Sequence, residues 1–288
     1  MEHLHGGLGE LLDRAIEFTE LKEVERTGWV LRGVEEPESV ADHSWGTAQL
    51  CLLFSSYATM DPDLSEIDPH RAVSMALVHD LAEVQVGDIP RRMEASSAGA
   101  PQPDQQSEGA TPPAEQQSSA GAPQPDAPTG PGSPREGDAP TAADSPRGAA
   151  APAAPRNYPK ADEKARLESA AIMRLTATDG VADESAASVS LHMVHDLWQE
   201  YESATTASAR FVRDMNLIDM TLQAFLYERD ARYEETESDN AFPDYPRMDE
   251  FFETSRSRFS TRLGRHLHGM VERRYREVVK ENQGNVMM

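Results

Sequence analysis

The sequence predicts an all-α protein, a single helical domain interrupted by a long insertion. Apolar residues recur at helical spacing through most of the chain, and few stretches alternate with the period of two that marks a half-buried strand. The segment 94–157 is different, because it has no Leu, Ile, Val, Met, Phe, Tyr or Trp and holds 13 of the 20 prolines. We therefore divide the 288 residues into a first domain part at 1–93, the insertion, a second domain part at 158–235, and a helical extension at 236–288 that packs on the domain.

Three helices are expected before the insertion, and loops that contain Gly, Pro and charged residues separate them. The glycines, proline and charges of residues 26–44 predict a loop that carries one Trp. Gly87 and Pro90 end the third helix. We expect the helices at Leu8 to Val24, from a cap at Asp42 or Ser44 to about Tyr57, and from Pro69 to about Val86.

Four more helices are expected after the insertion, from the same apolar periodicity. They cover 160–176, 184–203, 205–233 and 248–281.

The insertion is expected to be disordered, because it cannot bury enough apolar surface to offset the entropy of an ordered chain. The string SSAGAPQPD occurs at 96–104 and again at 118–126, which indicates local duplication of a linker. So short a repeat without an apolar face does not predict a solenoid.

The chain is strongly acidic, with a formal net charge of −23, and only four of its 27 basic residues are lysines. An acidic, lysine-poor surface is typical of proteins from a cytoplasm of very high salt, where charge repulsion is screened. An ordinary acidic cytosolic protein is the open alternative. Either way, the charge disfavours a binder of duplex nucleic acid, which needs a basic patch.

Cellular location is predicted from what the sequence lacks. No stretch approaches 18 consecutive apolar residues, and the first residues do not have the pattern of a signal peptide. Cys51 is the only cysteine, so it cannot form an intramolecular disulfide, and its apolar neighbours favour burial. We expect a cytoplasmic protein without a membrane span.

The strongest candidate for a functional site is the string ALVHDLAEVQVGDIP, read with His43 upstream. His79 and Asp80 interrupt an apolar helical run, where a hydrated carboxylate needs a partner. Two imidazoles and a carboxylate can hold a divalent cation and leave positions open for water or substrate. Glu83 lies on the same helical face, and Asp88 follows in the loop. The alternative is a surface pair at 79–80 with a solvated Glu83.

The chain resembles the HD-domain hydrolases, and within them the 5′-deoxynucleotidase subgroup, over residues 8–93 and 158–235. The strings that carry the resemblance are RTGWVLRGVEEPESVADHSWGTAQL, ALVHDLAEVQVGDIP, EKARLESAAIMRL and LWQEYESATTASARFVRDMNLIDMTLQAFLYE. The resemblance implies an all-helical domain with one divalent metal ion such as Mn, Co or Mg. It also implies release of phosphate from (deoxy)nucleoside monophosphates, and it suggests a homodimer.

The resemblance also implies roles for individual residues. It implies His43, His79 and Asp80 as metal ligands, and Glu83 and Asp88 as the catalytic and substrate-positioning acids. In the RTGW string, Arg26 and Trp29 correspond to residues that contact the phosphate and the sugar.

One position departs from the family pattern. The fourth ligand of the family is an Asp that corresponds to Asn216 here, and a neutral amide oxygen binds a cation more weakly than a carboxylate does. Three outcomes stay open: Asn216 ligates weakly, Asp219 replaces it, or the metal is lost. We favour the first, because two His and one Asp already hold a cation. Asp219 is a better substitute than Asp214 by its angle around the helix.

Two other functions stay open at this point. One is an HD-type hydrolase of another phosphorylated nucleotide, such as a triphosphate or a cyclic dinucleotide. The other is a non-catalytic nucleotide-binding protein that kept the fold and lost its metal at Asn216.

Overall fold

The computed structural model of the protein describes residues 7–90, 159–178, 185–233, 245 and 247–286. Within these ranges every regular element is a helix, and the only strand-like pairing is an isolated bridge between Glu25 and Ser39. The predicted all-α class is therefore confirmed. The insertion predicted at 94–157 lies outside the described residues.

Ten α-helices occur in the described part of the chain, together with two 3-10 helices at Glu20–Glu23 and Pro62–Leu64. The α-helices are α1 Leu8–Thr19, α2 Thr27–Leu31, α3 Val40–Ala58, α4 Pro69–Val78, α5 Glu83–Val86, α6 Ala161–Leu175, α7 Ala186–Ser203, α8 Ala207–Arg229, α9 Asp249–Arg256 and α10 Arg262–Val286.

Helix α8 is the centre of the bundle, and α3, α4, α7, α9 and α10 all contact it. Its residues Phe211, Met215 and Ile218 are at most 1% exposed and pack in the main core with Leu64 and Met75. Each such side chain stabilises the fold by about 1.5–3 kcal/mol relative to exposure. The helices that carry the candidate site are thus anchored on one buried helix.

A second core joins α2 and α8 to the last two helices. Trp29 on α2 and Tyr227 on α8 pack there with Phe252 on α9 and Tyr275 on α10. The described residues of the C-terminal extension therefore lie against the helical domain, and they also support α2.

Local structure differs from the sequence prediction at the start of α3. The predicted loop at 26–44 contains helix α2, and the N-cap of α3 is Ser39 rather than Asp42 or Ser44. Ser39 and Asp42 form a capping box, in which each side chain accepts a hydrogen bond from the other residue's backbone N–H. Asp42 is thus the third residue inside the helix.

Three predicted helices are shorter than expected or divided. The first ends at Thr19 and tightens into a 3-10 helix, and the third ends at Val78 before a short separate helix, α5. The predicted helix 248–281 is two helices, because the chain turns at 257–261. Asp214 of α8 holds this turn by accepting hydrogen bonds from the backbone N–H groups of Ser260 and Thr261, both at 2.9 Å.

Among the described residues, no helix combines the length and the apolar character that crossing a membrane requires.

Candidate metal centre

The two candidate imidazoles come from adjacent helices. His43 lies in the first turn of α3, where the Ser39 cap sets the start of the helix, and His79 directly follows the end of α4. After His79 the backbone N–H groups donate to carbonyl oxygens three residues earlier, as Glu83 N does to Asp80 O at 2.9 Å. In such a turn, residues three apart lie above one another. Asp80 and Glu83 therefore face the same side.

The imidazoles converge on the carboxylate of Asp80. Its Oδ2 lies 3.2 Å from His79 Nε2 and 3.7 Å from His43 Nε2. Both Nε2 atoms are buried, and neither makes a hydrogen bond within the described residues. Three ligand atoms, one from each residue, lie within 4.8 Å of one another. Two orphaned nitrogen atoms beside a carboxylate fit a divalent cation.

The remaining ring nitrogens are occupied, which orients both rings. His79 Nδ1 lies 2.8 Å from the carbonyl oxygen of Ala76, and His43 Nδ1 lies 2.7 Å from Asp219 Oδ2. An Nδ1–H that donates to an oxygen leaves the lone pair on Nε2, which is the arrangement found behind metal-binding histidines. Both lone pairs therefore face Asp80.

Protonation also suits metal binding. Burial, with a further contribution from the charge of Arg26, lowers the pKa of His43 to about 3, so the ring is neutral at neutral pH. Burial alone would raise the pKa of Asp80, but His79 and Arg26 outweigh it and hold this pKa well below its usual range. Neutral imidazole and ionised carboxylate are the forms that bind metals.

Arg26 lies at the edge of this cluster, immediately before α2. Its Nη1 is 3.1 Å from Asp80 Oδ2 and 3.9 Å from Glu83 Oε2, and its Nε is 3.8 Å from Asp88 Oδ2. Burial opposes its charge, but these three carboxylates raise the pKa of Arg26 above its usual value. A permanent positive charge thus borders the candidate metal centre.

Asp88 fixes the position of α2, although 61 residues separate it from Thr27 in the sequence. Its Oδ2 accepts a hydrogen bond from the backbone N–H of Thr27 at 2.8 Å, and its carbonyl oxygen accepts one from Thr27 Oγ1 at 2.6 Å. Because Asp88 occupies the first N–H of α2, it holds the segment from which Arg26 projects.

Glu83 is 2% exposed, and its two oxygens have different surroundings. Oε1 is 3.5 Å from Lys164 Nζ, whereas Oε2 makes no hydrogen bond within the described residues. Burial first, and then the charges of Asp80 and Asp88, raise the pKa of Glu83 well above its usual value. A raised pKa favours the protonated form of a carboxyl group, which can then give a proton to a reacting group.

The structure therefore brings six of the sequence-predicted site residues together, and these are Arg26, His43, His79, Asp80, Glu83 and Asp88.

Trp29 does not join this group. It is 2% exposed, its ring packs 4.2 Å from that of Phe251, and its Nε1 donates to Glu38 Oε1 at 2.8 Å. The sugar contact predicted for Trp29 has no support in this geometry, because the side chain is enclosed by the second core. From the sequence alone, a Trp that contacts substrate could not be distinguished from a Trp that packs in the core.

The question at Asn216 is answered in part by its neighbours. Its Nδ2 donates to the hydroxyl of Tyr201 at 2.8 Å, and the Tyr201 ring packs 5.0 Å from that of His79. Asp219 instead lies behind His43, at the ring nitrogen directed away from Asp80, and Asp214 accepts hydrogen bonds from the backbone just before α10. Asp214 is therefore not placed as a substitute ligand, whereas Asp219 lies with Glu38 and His43 in a second group whose ligand atoms lie within 4.8 Å of one another.

Two contributors were not predicted from the sequence. Lys164 reaches Glu83 from the other side of the insertion, and Asp219 was considered only as a ligand. Gly46 also matters, because a Cβ there would overlap the Asp219 carboxylate. The string EKARLE marks Lys164 in the sequence, but its partner 81 residues away can be identified only in the folded chain.

Comparison with known proteins identifies related sequences. A family model described as an HD domain matches residues 18–109 and 152–252. A 5′-deoxynucleotidase HDDC2 of Dictyostelium discoideum is 27% identical over 88% of this chain and 91% of its own length. The HDDC2 of Bos taurus is 27% identical over 84% of this chain and 74% of its own length. The 5′-deoxynucleotidase hdd1 of Schizosaccharomyces pombe is 26% identical over 74% of this chain and 69% of its own length.

Proposed function

The chain belongs to the HD domain family, and we propose that it is a metal-dependent phosphomonoesterase that removes the 5′-phosphate from (deoxy)nucleoside monophosphates. The observation that carries this proposal is the pair of buried, unpartnered Nε2 atoms beside Asp80. This arrangement occurs in a chain whose relatives along most of its length are named 5′-deoxynucleotidases.

We assign His43, His79 and Asp80 as the ligands of one divalent metal ion, with the amide oxygen of Asn216 as a weaker fourth ligand. When bound, such an ion polarises a phosphate oxygen and lowers the pKa of a coordinated water. Its identity, whether Mn, Co, Mg or another metal, is left to experiment. Asp219 and the Ala76 carbonyl hold the two imidazoles in the orientation that this role needs.

Glu83 is the residue we assign to proton transfer. Its Oε2 faces the cluster without a hydrogen bond from the described residues, and burial with the neighbouring carboxylates raises its pKa, which favours a proton on this group. Asp88 is less suited to that task, because Thr27 already occupies its carboxylate. Its role in this proposal is to position Arg26.

Arg26 is the residue we assign to the phosphate group. A guanidinium matches the oxygens of a phosphate in a bidentate way, and this one retains its charge beside three carboxylates. Its ion pairs with Asp80, Glu83 and Asp88 use Nη1 and Nε, so Nη2 is the nitrogen atom we assign to the substrate.

Three further features stay predictions. They are a cytoplasmic location, an intracellular environment of high salt, and a homodimer. The acidic, lysine-poor composition supports the second, and the family resemblance suggests the third.

The test is phosphate release from a panel of 2′-deoxy- and ribonucleoside 5′-monophosphates in molar salt. The protein is first stripped with a chelator and then assayed with and without Mn²⁺ or Co²⁺. We expect metal-dependent release that favours the deoxy series and disappears in Asp80→Ala. Asp230→Ala serves as the control, because it removes an exposed carboxylate at the end of α8.

Other results would contradict the proposal. Activity on nucleoside triphosphates but not on monophosphates, with nucleoside and intact triphosphate as products, would identify an HD-type hydrolase of another nucleotide. Binding of monophosphates without release under any metal would identify a non-catalytic protein. Full activity in Asp80→Ala would refute the assignment of the metal centre.

A further inference from the structure

Lys164 is a partly buried cation beside the candidate acid–base residue. It lies in the first turns of α6, and its side chain is 19% exposed. Its Nζ is 2.6 Å from the carbonyl oxygen of Ile89, 3.3 Å from Glu168 Oε1 and 3.5 Å from Glu83 Oε1. Three acceptors thus surround the three donor hydrogens of one ammonium group.

These contacts distinguish the two oxygens of Glu83. Oε1 is turned toward Lys164, and Oε2 is left facing Arg26 Nη1 at 3.9 Å, without a hydrogen bond among the described residues. A carboxyl group held at one oxygen cannot rotate freely about its last bond. The contact with Lys164 thus lies on the oxygen of Glu83 that is turned away from Arg26.

The contacts also connect the two sides of the insertion. Ile89 and Glu83 precede residues 94–157, and Lys164 and Glu168 follow them. One ammonium group thus bridges the segment that carries the predicted site residues and the first described helix after the insertion. Such a bridge holds Glu83 next to α6, and it does not depend on the length of the segment between them.

The residue type is itself informative. Only four of the 27 basic residues in this chain are lysines, so arginine is its usual cation. An ammonium group is compact and directs its donors tetrahedrally, whereas a guanidinium directs them in one plane. Three acceptors around one nitrogen atom suit a lysine. Burial opposes the charge, but Glu83, Glu168 and Asp88 raise the pKa of Lys164, so it stays protonated.

We propose that Lys164 is a positioning residue for phosphate-ester hydrolysis, holding Oε1 of Glu83 so that Oε2 faces the reacting atoms. This inference rests on the proposed function and adds to it a residue that contributes through Glu83 rather than through contact with substrate.

The test is a double-mutant cycle on kcat in the metal-loaded, full-length protein, using a 2′-deoxynucleoside 5′-monophosphate. Glu83→Gln is expected to lower kcat by about 10²–10⁴-fold, the usual contribution of acid–base catalysis. Lys164→Met is expected to lower kcat by roughly 10–100-fold and to change KM by less than about threefold. The double variant is expected to match Glu83→Gln within about twofold, because residues that act through one another are not additive.

The control is Lys160→Met, which removes an exposed lysine from the N-cap of the same helix. It is expected to keep the wild-type kcat and KM. Binding of Co²⁺ by titration calorimetry and the thermal unfolding of each variant report whether the site is folded. Should Lys164→Met fail to fold, Lys164→Gln replaces it in the same cycle, since it keeps a donor for the Ile89 carbonyl.

Multiplicative losses in the double variant, or a large rise in KM for Lys164→Met, would overturn the positioning role and indicate direct contact with the phosphate. An active wild type whose Lys164→Met and Lys164→Gln variants keep kcat would refute this inference alone. An inactive wild type under every metal would overturn the proposed function together with it.

Discussion

His43 Nδ1 lies 2.7 Å from Asp219 Oδ2, so an imidazole on α3 is held by a carboxylate on the central helix α8. Asp219 is one turn beyond Asn216, the position at which the chain departs from the family's ligand pattern. The carboxylate thus supports a ligand from behind, where it fixes the ring orientation and raises the basicity of Nε2.

Replacement of Asp219 by Ala is expected to weaken binding of Mn²⁺ or Co²⁺ by about 10–100-fold, because His43 loses the acceptor that selects its tautomer. Titration calorimetry on the stripped protein measures this directly. Asp230→Ala, which removes an exposed carboxylate eleven residues further along the chain, should bind metal as the wild type does. Equal affinity in Asp219→Ala would show that the contact with His43 does not serve the metal.

Asn216→Asp is expected to tighten metal binding by roughly tenfold, because ligand charge is a main determinant of affinity for hard cations. The Tyr201 hydroxyl, which now accepts from Asn216 Nδ2, can donate to the new carboxylate instead. The measurement is the same calorimetric titration. A weaker affinity in this variant would assign Asn216 to the support of Tyr201 rather than to the metal.

Gly46→Ala is expected to destabilise the protein by about 1–3 kcal/mol, the usual cost of overpacking, because its Cβ would overlap the Asp219 carboxylate. The matched control is Gly9→Ala on α1, where no atom lies within 4 Å of an added Cβ. That change should be neutral or slightly stabilising, since Ala has the higher helix propensity. Urea unfolding of both variants measures the difference, and equal free energies of unfolding would contradict it.

Asp214→Ala is expected to destabilise the protein by about 2–3 kcal/mol, because it leaves two backbone N–H groups of the turn before α10 without their acceptor, and one of them is buried. Asp214 is fully buried and accepts hydrogen bonds from Ser260 N, Thr261 N and Thr261 Oγ1. Thermal and urea unfolding of the variant provide the measurement. A loss below about 0.5 kcal/mol, typical of surface changes, would contradict this role.

The sequence by itself determined the helical class and the local core of the site. Apolar spacing depends only on residues within a few turns, so it predicted most helices, with errors at their ends. His79, Asp80 and Glu83 are neighbours along the chain, and the short turn after α4 brings them together whatever the rest of the fold does. Such local relations are readable from residue types and spacing.

Only the tertiary structure decided which distant residues serve that site. Trp29 packs against Phe251 in the second core. Asp219 contacts His43, which is 176 residues away in the sequence, and Lys164 contacts Glu83, which is 81 residues away. Asp214 holds the turn that divides the last predicted helix into α9 and α10. These outcomes depend on how α8 packs between α3, α9 and α10. The periodicity of a sequence indicates that a face is buried, but the identity of its partner is set by the packing of the whole chain.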